Sequence, residues 1–171
     1  MLAVTVDDAH VRAMLARLSQ RMGNLTPVMR KIGNTIKNDS LANFKGQHAP
    51  DGTPWKPLSI ATRIARANRL SGGKGIKTKK GAIRKSAQRI ITSANALLDT
   101  GILRASVNVL ETTASSVTVG SRIKYAAIHQ FGGQAGRGKK VTIPARPFIG
   151  MSRTAERSII DTINGYIGTN Q

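Results

Sequence analysis

Apolar positions in the first third of the chain recur with helical spacing. Val11, Leu15, Leu18 and Met22 follow Asp7 and Asp8, either of which can cap a helix, and Gly23 ends the run. Thr26-Pro27 restarts a helix in cap-then-proline order. Its stripe is Val28, Ile32, Ile36 and, slipping slightly, Leu41 and Phe44, with Arg30, Lys31 and Lys37 off it. Two amphipathic helices are predicted over residues 8–45. Residues 46–59, GQHAPDGTPWKPLS, carry three prolines and an Asp-Gly pair and predict an extended, turning path. Trp55 sits in its middle, either plugging a gap in the chain's own core or anchoring a neighbouring subunit. Ser59 then caps IATRIARANRL, where Arg63, Arg66 and Arg69 line one side.

The second half changes period. ILRASVNVL (102–110) and SVTVGS (116–121) are β-branched and roughly alternating around a polar turn at 111–115, which predicts an antiparallel hairpin. YAAIH (125–129) is compact and apolar and closes at Gly132-Gly133. QAGRGKK reads as a basic loop, VTI as a short strand and PARPFIG as a rigid corner. A last helix from Ser152 places Ile159, Ile160, Ile163 and Ile167 on or near one face. The pattern is an α+β fold in one domain over residues 1–171: N-terminal helices, a small antiparallel β-sheet and a C-terminal helix, with a basic flexible loop at 71–89.

Charge sharpens this picture. The chain has 27 Lys and Arg against 8 Asp and Glu, a formal +19 over 171 residues. Such self-repulsion calls for a polyanion or an acidic protein surface nearby. No acid occurs between Gly52 and Leu98, while residues 56–89 hold 11 of the basic side chains. Within that run, SGGKGIKTKKGAIRKSAQR is either a solvated segment or an electrostatic arm that orders on a partner. Aromatic residues make up 4% of the chain, too few for a base-stacking platform, so a nucleic-acid contact is expected at phosphates and blind to sequence. The N-terminus lacks the pattern of a secretion signal, and no apolar run is long enough to span a membrane; a soluble, cytoplasmic protein without membrane contact is expected.

Catalytic readings fare poorly. There is no cysteine, which removes disulfides, thiolate zinc sites and cysteine nucleophiles. His10, His48 and His129 lack metal-binding spacing, the acids are scattered, and GGKGIKTKKG departs from phosphate-loop spacing. LLDTG (97–101) resembles the active-site loop of retroviral-type aspartic proteases. It continues with Ile102, Leu103 and Arg104, and no supporting apolar-Gly-Arg segment follows. Asp99 is expected to cap or staple a turn, and His129 to be structural. Neither catalysis nor a cofactor or metal is expected.

Four fragments then combine in order over residues 50–152: PDGTPWKPLS, LLDTGILRASV, VGS with YAAIHQFGG, and KKVTIPARPFIGMS. In series they resemble the phage virion morphogenesis family, the tail-completion or neck proteins of Mu-like and related tailed phages. The resemblance covers about three-fifths of the chain and leaves the N-terminal helices and residues 71–89 unmatched. It implies a structural job where the head's connector meets the tail: a homo-oligomeric ring, six copies being preferred to match tail symmetry, in contact with neck, connector and tail-terminator proteins. The location implied is the virion, with the host cytoplasm during assembly. Gly132, Gly133, Pro144 and Pro147 then fix chain direction. Tyr125, Phe131 and Phe148 would pack the sheet against the terminal helices, and Pro54, Trp55 and Pro57 would meet a neighbouring subunit. Arg63, Arg66, Arg69, Lys74, Lys77, Lys79, Lys80, Arg84 and Lys85, with Arg137, Lys139 and Lys140 as a second group, would contact genome DNA phosphates or an acidic neighbour. A stand-alone basic nucleic-acid-binding accessory protein is the alternative.

Overall fold

The computed structural model describes residues 2–3 and 9–168. The capping residues Asp7 and Asp8 lie outside the described residues, as do the side chains of Leu18, Met22 and Ile167. Helix α1 (Ala9–Met22) lays Val11 and Leu15 against a core formed with α2 (Thr26–Gly46) and α7 (Arg153–Gly168). Thr26 is already helical and Leu25, not Thr26, is the N-cap; the Thr26 N–H is received by Asn24 Oδ1, 3.0 Å away. Pro27 occupies the first turn, where its missing N–H costs no bond. The expected α2 stripe is real but wide: Val28, Met29, Ile32 and Phe44 are buried, while Ile36 and Leu41 are half-buried.

The main sheet is antiparallel, in the order β1 (Leu2–Ala3), β3 (Val117–Ser121), β2 (Asn108–Thr112). A bulge interrupts β2 between Val109 and Glu111, and the turn closes through Thr113 N donating to Ser116 O. The hairpin is thus shorter than predicted. Residues 102–105 of the expected first strand instead form one helical turn, α5 (Ile102–Ala105), entered through Gly101 at φ 78°. Gly33 lets α2 lie directly on the hairpin, since a Cβ there would stand 2.6 Å from Val117 Cγ2.

α2 joins two cores. One holds Leu25, Val28, Met29, Ile32, Ile159 and Ile163; the other holds Phe44, Trp55, Leu103, Val107, Val119, Phe148 and Ile149. Asp39, midway along α2, accepts hydrogen bonds from Ser152 N (3.0 Å) and Oγ (2.7 Å), while Ser152 Oγ accepts from Ala155 N. The α7 cap is therefore fastened to α2 as well as to its own first turn.

Beyond the prolyl loop lies α3 (Ile60–Leu70), capped as expected by Ser59, whose Oγ accepts from Thr62 N. Residues 71–84 turn back through a short bridge between Lys77 and Ile83 into α4 (Lys85–Ser93). Residues 85–89 are helical, contrary to the loop expected through 89. Ala87 is buried and Ile90 and Ile91 half-buried, an apolar side too small to stand out among the basic neighbours. α6 (Ala126–Phe131) leads into a second hairpin, β4 (Gly133–Ala135) and β5 (Val141–Ile143), through a 3₁₀ turn at Arg137–Lys139. Among the described residues no helix is long and apolar enough to cross a membrane.

Candidate functional site

Three segments meet at one corner: the prolyl loop, α6, and residues 144–149. Trp55 is 6% exposed, stands edge-on to Phe44 with centroids 5.7 Å apart, and donates from Nε1 to Pro147 O at 2.9 Å. Its ring fills the chain's own core, the first of the two roles left open, and so is no exposed anchor. Pro54 and Pro57 beside it are exposed. Phe148 packs on Phe44 as expected, but Tyr125 and Phe131 are 45% and 65% exposed and do not pack the sheet on the terminal helices.

Gln130, to which sequence reasoning assigned no role, organises this corner. Its buried amide donates from Nε2 to Ile149 O (2.8 Å) and accepts at Oε1 from Phe148 N (3.0 Å) and Ile149 N (3.1 Å). A polar residue inside an apolar helical segment was the one available signal. Gly132 has φ 74°, and Gly133 has φ 143°, as the turn demands; Pro144 and Pro147 are half-buried within it. YAAIHQFGG is therefore a structural corner.

Beside it lies a cleft of ≈ 300 Å³, lined by Leu58, Thr62, Arg66, Leu97, Asp99, Thr100, Gly101, Leu103, Tyr125, His129 and Arg146. Asp99 binds Arg66 Nε at 3.1 Å and Arg69 through both carboxylate oxygens, so it ties α3 to the segment after α4 rather than capping a turn. Leu97 holds a left-handed φ of 60°, a strained conformation for a side chain with a Cβ. Gln47 over-determines that geometry by exchanging two hydrogen bonds with Ala96. Arg146 is buried, donating from Nε to Lys56 O (2.8 Å) and from Nη2 to Pro57 O (3.3 Å). Burial pushes the Arg146 guanidinium below its ordinary range.

His129 stacks edge-on to Tyr125, and its buried Nδ1 has no hydrogen-bond partner. Burial, and secondarily the Arg146 charge, hold its pKa below the ordinary histidine value. The sign follows: on acidification the unfolded chain takes up this proton first, so stability falls. We expect thermal stability to decline from about pH 7 to about pH 5, and His129→Gln to flatten that slope. Equal slopes for both proteins in thermal scans would assign the dependence elsewhere.

The expected cationic set divides. Arg63 donates to Leu58 O and Ile91 O, and Arg66 to Asn95 O as well as pairing with Asp99. These two arginines, with Arg69, clasp α3 to the end of α4 instead of facing outward as a free row. Arg84 is half-buried and reaches Lys77 O. Lys74, Lys77, Lys79, Lys80 and Lys85 are exposed, as are Arg137, Lys139 and Lys140 on the second hairpin. No cluster of three His, Asp or Glu suited to a metal exists among the described residues.

The whole of this arrangement, from residue 6 to residue 168, matches the phage virion morphogenesis family. The chain belongs to that family. It is also 31% identical to the Mu-like prophage FluMu G protein 2 of Haemophilus influenzae over 167 residues, 97% of this chain and 96% of the relative. No solved structure matches. Family membership takes in the N-terminal helices and residues 71–89, which the sequence fragments left unmatched. It makes the protein a structural, virion-associated component.

Proposed function

We propose that the protein is a non-enzymatic subunit of the head–tail junction, completing the tail or joining it to the head as one copy in a six-membered ring. The observation that carries this reading is the sorting of its cations. Arginines near the body are bonded to its own carbonyls and to Asp99, whereas seven exposed side chains on two loops make no side-chain hydrogen bond or ion pair among the described residues: Lys74, Lys77, Lys79, Lys80, Arg137, Lys139 and Lys140. Outward charge without internal compensation suits a surface that meets genome DNA phosphates at the neck. Pro54 and Pro57 remain candidates for the contact between copies.

Two experiments test this. Binding to random-sequence duplex DNA is expected to fall steeply between low and moderate salt, without sequence preference. Replacing the seven side chains by serine should make the log–log salt dependence shallower by about six, near 0.9 per lost phosphate contact. Salt-insensitive or sequence-selective binding overturns the phosphate contact. A phage lacking the chain is expected to leave heads and tails unjoined. Infectious particles assembled without it, or turnover that depends on Asp99 or His129, would overturn the structural role.

A further inference from the structure

Arg146 is 5% exposed, and among the described residues no carboxylate lies within ion-pairing distance of it. Guanidinium groups this buried are ordinarily matched by an anion, because an uncompensated buried charge is costly. Two of its five N–H donors reach main-chain carbonyls, which supply no negative charge. The one carboxylate in the same cleft, Asp99, is already bound by Arg66 and Arg69. Asp99 is thus spent on two arginines, and Arg146 is left without an acid among the described residues.

The rest of the cleft states what would complete it. Leu58, Leu97 and Leu103 provide apolar walls, and Thr62 and Thr100 add hydroxyls. Exposed Ile102 lies between the lining residues Gly101 and Leu103, exposed Ile60 is two positions from Leu58 and from Thr62, and Tyr125 itself is 45% exposed. A volume of ≈ 300 Å³ accepts a side chain and is far too small for a nucleic-acid helix. Apolar walls around a cationic floor fit methylene groups ending in a carboxylate. A second copy is a poor donor, since each copy carries +19.

We propose that this cleft receives a carboxylate side chain from an acidic segment of a different polypeptide, which pairs with Arg146. The pairing rests on the chain's own cleft and stands independently of the ring and of the lysine loops.

The test uses the full chain at low salt with capped hexaglutamate as the probe, read on the ring resonances of His129. The charged and titratable groups lining the cleft with that ring are Tyr125 at the N-cap of its helix, Arg146, and Arg66 and Asp99 across the cleft. A carboxylate beside Arg146 offsets the positive charge that helps keep His129 neutral. Hexaglutamate is expected to shift its ring resonances and raise its pKa, while the ring resonances of His48 stay where they are. Capped hexaglutamine should do neither. Arg146→Lys, which keeps the charge and loses the fork, should weaken the response about tenfold. Thr62→Glu supplies a carboxylate from the exposed first turn of α3 and leaves Arg146 intact; it should abolish the response and raise the melting temperature.

Silence at His129 in the unmodified chain overturns the proposal, as does an unchanged response in Thr62→Glu. Equal shifts with inorganic phosphate or duplex DNA overturn the choice of a carboxylate. Self-association lost in Arg146→Lys would make the donor a second copy. The seven-serine loop variant should respond like the unmodified chain, which separates failure here from failure of the DNA contact.

Discussion

Gly132→Ala is expected to destabilise the protein by about 3–5 kcal/mol and to lower its melting temperature by roughly 10–15 °C. Two effects add. The backbone at Gly132, φ 74° and ψ −178°, belongs to a region populated essentially by glycine alone. A Cβ there would also stand 2.8 Å from Ala145 N and 3.1 Å from Ile143 O, both main-chain atoms that cannot swing aside. Gly136→Ala is the matched control. Its φ of 78° and ψ of 174° carry the same conformational cost, but the nearest neighbour to its Cβ is Val141 Cγ2 at 3.6 Å. Thermal unfolding of the two variants should therefore differ by the steric contribution. Equal losses would show that close approach at the corner adds nothing.

Gln130→Leu is expected to cost about 3–9 kcal/mol, since it strands three buried main-chain groups at about 1–3 kcal/mol each. These are Phe148 N, Ile149 N and Ile149 O, all held now by one amide. Leucine retains most of the volume, so the loss reports polar satisfaction more than a cavity. Urea unfolding at fixed pH measures it. A change below about 1 kcal/mol would mean that the 144–149 segment keeps its path without the amide.

The terminal helices were legible because their apolar side chains repeat every three or four residues and bury one face. Ile159 and Ile163 are fully buried as that spacing requires. The same rule failed for α4, where a two-turn helix carries Ala87, Ile90 and Ile91 inside a run dominated by Lys and Arg. It failed again at Ile102–Ala105, where β-branched neighbours suggested a strand and Gly101 instead starts a helical turn. β1 pairs only two residues with β3, too short for any periodicity.

The corner was recognised from its glycines and prolines, while its main fastener was missed. Gln130 acquires its role from backbone 18 and 19 residues further along, a relation that no local pattern encodes. The arginine row on α3 was visible as a spacing, but spacing carries no direction. Only the placement of α4 and Asp99 makes those side chains inward clasps. Trp55 was similarly ambiguous until Phe44 and Phe148 were seen around it.

The clasp between α3 and α4 has one more implication. Arg63 and Arg66 grip peptide oxygens of Ile91 and Asn95, and every amino acid offers such an oxygen. The anchorage is thus indifferent to which side chains occupy those two positions. Exchanging the side chain at either position therefore leaves the acceptor of the clasp in place, so long as the backbone path is kept.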